Sequence, residues 1–226
     1  MPTTILNIDT AFTTGFVSVA VNGEMLGKIT NEIQKDHATF LQVAVKKLLN
    51  DLSISISTLN AVAVNTGPGS YTGLRVAMAS AKGLCFALNI PLIVTSSLHL
   101  IASAVCGIVE KKDNCLICPM IDARRLEVYT ALYAAKNLTE ILAPHALILT
   151  EDSLKKEIEN NKIFFSGDGA EKFLALINHA NASYIPCPHL ATTLSYISFQ
   201  QFLKNDFASL AYSEPHYVKA FYDQSQ

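Results

Sequence analysis

The feature that most constrains the fold is an apolar, β-branched run followed at once by a glycine-rich turn and a helix. Residues 61–65 are bounded by turn residues, which predicts a short buried strand. Gly67, Gly69 and Gly73 then mark a turn, and apolar residues at helical spacing from Leu74 onward predict a helix. A strand, a tight turn and a helix in this order favour an α/β fold.

The glycine turn suggests phosphate binding, because the amides at a helix N-terminus attract anions. The spacing does not fit the familiar phosphate-binding motifs. Leu74 follows Gly73 where a Walker A loop has lysine, and the pattern Gly-x-Gly-x-x-x-Gly is one residue longer than a dinucleotide fingerprint. The alternative is structural, since glycines also allow a helix and a sheet to pack closely. The glycine pattern by itself leaves both interpretations open.

Hydrophobic periodicity predicts the remaining elements. In the first half it predicts the order β-β-β-α-β-α-β-α, with Asn22-Gly23 as a hairpin turn and Asp36 as a helix cap. Lys111–Asn114 is the best candidate boundary, so we expect a first domain at 1–110 and a smaller one at 111–226, whose last segment packs back on the first. In the second domain, strands are predicted at 115–121, 127–133 and 163–165, and helices at 153–160, 171–178 and 194–207.

Composition limits the classes of function. Half of the residues are hydrophobic and 16% are charged, which favours a folded core and leaves apolar surface for a partner. The formal net charge of −2 argues against a chain that is itself the main platform for RNA. The first residues lack a basic leader and no apolar run is long enough to span a membrane, so a cytoplasmic protein is expected. Five cysteines indicate reduced thiols.

The two predicted domains open in the same way, with a strand, an aspartate, a turn and a returning strand. Asp9 and Thr10 follow the first strand, and Asp122 is followed by Ala123-Arg124-Arg125. Asp9 has an alternative interpretation as an Asx turn, and the arginines have one as a solvated hairpin turn. The repeated pattern is expected of two related lobes.

Motifs for metal or nucleophilic catalysis are missing from the sequence. No two histidines lie four residues apart, so no metal site is predicted, and His99 is interpreted as structural. Cys115 and Cys118 lie three residues apart in a predicted strand, which directs their side chains to opposite faces. Ser70 is not in a Gly-x-Ser-x-Gly elbow. The sequence therefore predicts no catalytic residue.

The chain resembles the TsaB (YeaZ) family, a bacterial subunit of the machinery that makes threonylcarbamoyladenosine in tRNA. The resemblance rests on matching segments that follow one another along nearly the whole chain: residues 8–10, 67–75 with 81–84, 121–125 with 127–129, 167–169 and 214–217. It implies an actin- and hexokinase-like (ribonuclease H-like) fold with mixed sheets flanked by helices and a reduced second lobe.

The resemblance also implies a function. A TsaB-like chain would be a non-catalytic subunit that binds and stabilises the transferase TsaD, with TsaE as a further ATPase subunit and tRNA contacted mainly through TsaD. For the chain alone, both a homodimer and a monomer remain open. The metal-binding histidines of TsaD would fall near Ser96 and Leu100, where this chain has none.

A nucleotide cleft of such a chain would be vestigial. No cofactor is expected, and any binding of ATP or ADP should be weak. The residues that correspond to the cleft are Asp9, Thr10, Asp122, Arg124, Gly167, Asp168 and Gly169. One alternative function is a nucleotide-binding ATPase or phosphotransferase that acts through Asp9 and Asp122, and a second is a homodimeric binding module of unknown ligand.

The partner interface is predicted on two helices whose apolar and small residues exceed what one face of a sheet requires. The predicted interface residues are His37, Leu41, Ala44, Val45, Leu48, Leu74, Ala77, Met78, Ala81 and Leu84.

Overall fold

A computed structural model of the chain describes residues 2–33, 36–187 and 189–218, without the side chains of residues 37 and 38. Two compact units are present. The first contains the described residues of Met1–Ser97 and His189–His216, and the second contains those of Leu98–Pro188 and Tyr217–Gln226. This division differs from the expected boundary at 110/111, because the helix after residue 97 packs within the second unit: His99 contacts the ring of Tyr133 edge-on.

The elements of the first unit are β1 (Thr4–Asp9), β2 (Gly15–Val21), β3 (Glu24–Asn31), α1 (His37–Asp51), β4 (Ala61–Gly67), α2 (Tyr71–Leu88) and β5 (Leu92–Ser96). Those that follow are α3 (Ser97–Cys106), β6 (Cys115–Asp122), β7 (Glu127–Ala134), β8 (Glu140–Ile148), α4 (Lys155–Asn160), β9 (Lys162–Ser166), α5 (Ala170–Leu174), β10 (Ala182–Tyr184) and α6 (Leu190–Leu203). Within the described residues, no helix is long and apolar enough to cross a bilayer.

The sheet of the first unit has the order β3-β2-β1-β4-β5. Strands β1, β2 and β3 form an antiparallel meander, and β4 and β5 continue the sheet parallel to β1. The predicted hairpin at Asn22-Gly23 is confirmed, and both residues have the positive φ (52° and 84°) that a two-residue turn of this kind requires. Parallel pairing of β1 with β4 brings the polar ends of these strands to the same edge.

Helices cover both faces of this sheet. Alternate residues of β1, β2 and β4 pack against α1 and α2 in the larger core cluster, which includes Leu6, Val17 and Val62. The intervening residues pack against α6 through Phe199 and Phe202. Helix α6 is also held by polar bonds, since the side chain of Asn7 accepts a hydrogen bond from Ser198 Oγ at 2.7 Å and donates one to Ser195 Oγ at 3.3 Å.

The sheet of the second unit has the order β10-β9-β6-β7-β8 and packs against α4 and α5. Strands β8 and β10 were not predicted. Strand β8 lies at the sheet edge, where its pairing with β7 is irregular near Pro144 and its residues are largely exposed, so the apolar alternation typical of a half-buried strand is absent. Helix α5 is shorter than predicted, and α6 both begins and ends four residues earlier than the predicted 194–207.

Candidate functional site

Asp9 lies at the end of β1, and its side chain is completely buried. One carboxylate oxygen accepts a hydrogen bond from the amide of Ala11 at 2.9 Å, and the other accepts one from Asn65 Nδ2 at 2.9 Å. Asn65 Oδ1 in turn accepts from Ser97 Oγ at 2.8 Å and from the amide of Gly67 at 2.9 Å. Both oxygens of Asp9 are therefore bonded within the first unit.

The pKa of Asp9 reflects this burial. Loss of solvation raises it to about 6, although the hydrogen bonds from Asn65 and Ala11 partly oppose the rise. The network contains Asn65, which sequence reasoning did not single out. Its signal was a polar residue directly after the apolar run of β4, a strand that lies parallel to and beside β1.

The glycine turn before α2 packs directly on the loop that follows Asp9. Thr10 Oγ1 donates a hydrogen bond to the carbonyl of Gly73 at 2.7 Å, and the amide of Ser70 donates one to the carbonyl of Ala11 at 2.7 Å. A Cβ at Gly73 would lie 2.0 Å from the carbonyl oxygen of Thr10, which no side chain tolerates. Of the two interpretations, the packing role is the one that this contact supports.

Asp122 occupies the corresponding place in the second unit, at the end of β6. Its carboxylate is about one-third exposed and forms an ion pair with Lys172 Nζ, and it accepts a hydrogen bond from the amide of Arg124 at 2.6 Å. Lys172 also donates to the carbonyl of Arg125 at 2.9 Å. Partial burial raises the pKa of Asp122, but the bonds from Lys172 and Arg124 outweigh it, and the net pKa is lowered.

The turn Gly167-Asp168-Gly169 packs against the same strand end. Asp168 Oδ1 accepts a hydrogen bond from the amide of Asp122 at 2.9 Å, and the amide of Gly169 donates to the carbonyl of Met120 at 3.0 Å. A Cβ at Gly167 would lie 2.2 Å from the carbonyl oxygen of Met120. The five predicted cleft residues of this unit are thus brought together by hydrogen bonds from backbone amides to aspartate side chains and by close backbone packing. Lys172 was missed because its partner lies 50 residues earlier in the chain.

The predicted interface residues require a correction. Those at most 5% exposed are Leu41, Ala44, Val45, Leu48, Leu74, Ala77, Met78 and Ala81. All of them except Leu74 belong to one core cluster with residues of the sheet, and Leu84 is only partly buried against the same cluster. Their burial leaves these side chains little surface for a partner. The side chain of His37 lies outside the described residues. The predicted interface residues are buried because the apolar periodicity of each helix marks the side that covers the sheet.

The outer side of α1 and α2 carries a different set of residues. Val43 is 67% exposed and Phe86 is 81% exposed, which is unusual for large apolar side chains. Ala79 and Gly83 are also exposed on α2. Apart from its chain neighbours and the backbone of its own helix, no heavy atom of the described residues lies within 4 Å of a Cβ placed at Gly83. We call Val43, Ala79, Gly83 and Phe86 the helical face.

Thiols and histidines show no catalytic arrangement within the described residues. The five cysteines are free, and burial raises the pKa of Cys118 to about 12. His99 is partly buried, which lowers its pKa. In the described parts of the chain, no group of three histidine, cysteine, aspartate or glutamate residues could hold a metal ion.

Comparison with known proteins identifies the family. A family model for TsaD, tRNA N6-adenosine threonylcarbamoyltransferase, matches residues 24–219. The tRNA threonylcarbamoyladenosine biosynthesis protein TsaB of Bacillus subtilis is 34% identical over 168 residues, which cover 73% of this chain and 71% of the relative. The chain belongs to the TsaB (YeaZ) family, within the wider group that the TsaD model describes.

Solved structures agree with this family and with the fold. A Pseudomonas aeruginosa protein described as similar to peptidase YeaZ has a TM-score of 0.79 and 25% identity, covering 96% of this chain and 100% of that one. The activator of 2-hydroxyisocaproyl-CoA dehydratase from Clostridium difficile has a TM-score of 0.52 and 12% identity, covering 91% and 97% of the two chains. The fold of the TsaB-family chain is thus of the actin- and hexokinase-like type, as predicted. The names of the TsaB relatives support a role in threonylcarbamoyladenosine biosynthesis.

Proposed function

We propose that this chain is a non-catalytic subunit of tRNA threonylcarbamoyladenosine synthesis that binds and stabilises a TsaD-type threonylcarbamoyltransferase. The observation that carries the proposal is the use of the strand-end aspartates within the chain itself. Both oxygens of Asp9 accept hydrogen bonds from its own unit, and Asp122 is ion-paired with Lys172. A carboxylate that activates water or holds a metal ion must be open to that ligand. Asp9 is completely buried and the charge of Asp122 is balanced by Lys172, so these groups are better suited to holding the fold.

The helical face supports the binding half of the proposal. Phe86 and Val43 expose apolar surface that is stabilised when a partner covers it. Ala79 and Gly83 leave little side-chain bulk beside them, which lets a second helix approach closely. The transferase is related to this chain, so equivalent helices of the two proteins would pack against each other. A second copy of this chain would use the same face when the transferase is absent.

In the proposed assembly, the catalytic groups belong to other subunits. The transferase would hold the metal ion and the substrates, and a TsaE-type ATPase would complete the assembly. Because this chain has a net charge of −2, the tRNA would be held mainly by the transferase. The proposed place of action is the cytoplasm.

Reconstitution with the TsaD homologue of the same organism tests the function. We expect the two proteins to co-purify and tRNA modification to fall strongly when this chain is left out. Equal modification with and without it would refute the proposal. Magnesium-dependent ATP turnover by the isolated chain, lost in Asp9→Asn, would instead favour the ATPase alternative.

Variants of the helical face test the interface. Phe86→Asp and Gly83→Leu should each weaken calorimetric binding of the transferase by about tenfold or more, because they place a charge or extra methylenes in a close contact. The matched control is Leu203→Asp on α6, which is 58% exposed in another helix and should bind like the wild type. Unchanged binding by folded Phe86→Asp and Gly83→Leu would place the interface elsewhere.

A further inference from the structure

The hairpin between β6 and β7 has an unusual backbone at its tip. Arg124 has a φ of 72° and Arg125 a φ of 51°, two consecutive residues in a region that side chains other than those of asparagine and aspartate rarely adopt. Both side chains are exposed. The chain contains three arginines, and two of them are placed here.

The hairpin between β2 and β3 provides an internal reference. It also has two consecutive residues with positive φ, but they are Asn22 and Gly23, the pair that such backbone favours. Arg124 and Arg125 therefore occupy positions at which asparagine and glycine would be less strained. Strained residues of this kind cluster at functional sites, and what distinguishes arginine at these positions is its guanidinium group.

The backbone of the tip is held by hydrogen bonds, whereas the guanidinium groups act on their surroundings only through charge: the positive charge of Arg124 is the smallest of the causes that lower the pKa of Asp122. Asp122 accepts from the amide of Arg124, and Lys172 donates to the carbonyl of Arg125. Within the described parts of the chain, neither arginine side chain forms an ion pair or a hydrogen bond. The tip thus presents two cations on a backbone that hydrogen bonds hold in place, which reduces the backbone entropy lost on binding.

Exposed apolar side chains adjoin these cations. Leu126 follows in the chain and is 54% exposed, and Ile148 on β8 is 69% exposed. The two are neighbours across the strand pair, because the amide of Leu149 donates to the carbonyl of Leu126 at 2.7 Å. We call Arg124, Arg125, Leu126 and Ile148 the arginine tip.

The composition of the arginine tip indicates the kind of ligand. An RNA backbone would contact the arginines but would leave the exposed aliphatic pair, Leu126 and Ile148, uncovered. A protein surface that presents carboxylates beside apolar side chains would satisfy both halves, and arginine with buried aliphatic neighbours is typical of protein interfaces.

We infer that the arginine tip is a docking site for a protein partner with an acidic, apolar-flanked surface. The site is in the second unit and is additional to the helical face. It rests on the proposed function only for the choice of partners with which to test it.

The test replaces the tip with the residues of the reference hairpin. Arg124→Asn combined with Arg125→Gly should keep or raise the melting temperature, since both new residues adopt positive φ readily. Calorimetry then measures two steps, binding of the purified transferase homologue and binding of the TsaE-type ATPase to the resulting pair. We expect one of the two steps to weaken about tenfold or more. In the wild type, that step should also weaken as salt is raised.

A control of equal charge change is Lys111→Asn with Lys112→Gly, an exposed pair in the same unit, which should leave both steps unchanged. Leu126→Ser with Ile148→Ser tests the apolar half and should weaken the same step. Wild-type affinity of the arginine variant in both steps would overturn the inference, as would loss of tRNA binding by the isolated variant with both steps unchanged. If the wild type binds neither protein, the proposed function itself fails.

Discussion

Asp9 and Asp122 occupy the same local position in the two units, yet their surroundings differ in kind. Each ends a strand, precedes a hairpin and lies against a glycine-containing turn. Asp9 is completely buried among uncharged donors, whereas Asp122 is partly exposed and ion-paired with Lys172. Burial raises the pKa of Asp9, and the charged partner lowers that of Asp122.

The difference shows that a repeated motif does not fix the chemistry of its carboxylate. Solvation and the charge of the nearest donor decide the pKa, and both are set by residues distant in sequence. In each unit the chain has nevertheless bonded the carboxylate to its own groups. The common feature is therefore a carboxylate that is hydrogen-bonded within its own unit.

Gly73→Ala is the substitution expected to have the largest effect. The new Cβ would lie 2.0 Å from the carbonyl oxygen of Thr10, and neither backbone can move without breaking the bond between Thr10 Oγ1 and the carbonyl of Gly73. We expect a loss of about 3 kcal/mol or more in the free energy of unfolding, measured by urea denaturation. A loss below about 1 kcal/mol would show that the backbones of Gly73 and Thr10 can separate enough to accept a Cβ.

The pH dependence of stability should separate the two aspartates by sign. The pKa of Asp9 is about 6 in the folded protein, and its ordinary value is 3.8. The stability that the protonated carboxyl contributes is therefore fully present below pH 3.8 and is lost as the pH rises through 6. Wild-type protein should lose up to about 3 kcal/mol relative to Asp9→Asn between pH 4 and 7.5. A lowered pKa gives Asp122 the opposite dependence, with its stabilisation lost as the pH falls below its ordinary value.

Urea denaturation at several pH values checks both slopes. Asp122→Asn serves as the matched variant, and because that carboxylate is partly exposed its effect should stay below about 1 kcal/mol. For each aspartate, the difference in unfolding free energy between the wild type and the asparagine variant is followed with pH. If the two differences change in the same direction, the comparison is contradicted.

Lys172→Met removes the charged partner of Asp122 and the donor to the carbonyl of Arg125. We expect a loss of about 1 kcal/mol or less, because the pair is partly exposed. Nuclear magnetic resonance titration should show the pKa of Asp122 rising from its lowered value. An unchanged pKa would mean that the amide of Arg124, not Lys172, is the main cause.

Gly83→Ala should have the smallest effect and the opposite direction. This glycine lies in the same helix as Gly73 but has open space around it, so alanine should stabilise the helix by up to about 1 kcal/mol. Thermal denaturation of the isolated chain measures the change. If Gly83→Ala destabilises the chain, then α2 itself requires glycine at these positions, and contact with the loop after Asp9 is not the reason.

Much of the fold was predictable because local patterns agree with tertiary structure. The hairpin at Asn22-Gly23 and strands β1 to β7 have strong alternation or buried apolar runs. Strand β8 was not predictable, since an exposed edge strand interrupted near Pro144 lacks that alternation.

The candidate sites were less predictable, since their contacts join distant residues. Thr10 and Gly73 are separated by 63 positions, and nothing local in either segment indicates that they meet. Helices α1 and α2 were predicted, but their apolar periodicity was interpreted as an interface at Leu41 and Ala77, which are buried. An exposed residue such as Phe86 is distinguished from a core residue only when the packing of the helix is known.

The return of α6 to the first sheet has a consequence for synthesis on the ribosome. Residues 98–187 are contiguous, so the second unit can begin to fold as they emerge. The first sheet must wait, because Phe199 and Phe202 cover its second apolar face and Ser195 and Ser198 satisfy Asn7. The nascent chain therefore carries an uncovered sheet until α6 has emerged, and the unit that begins first gains its last helix only after residues 98–187 of the other unit have been made.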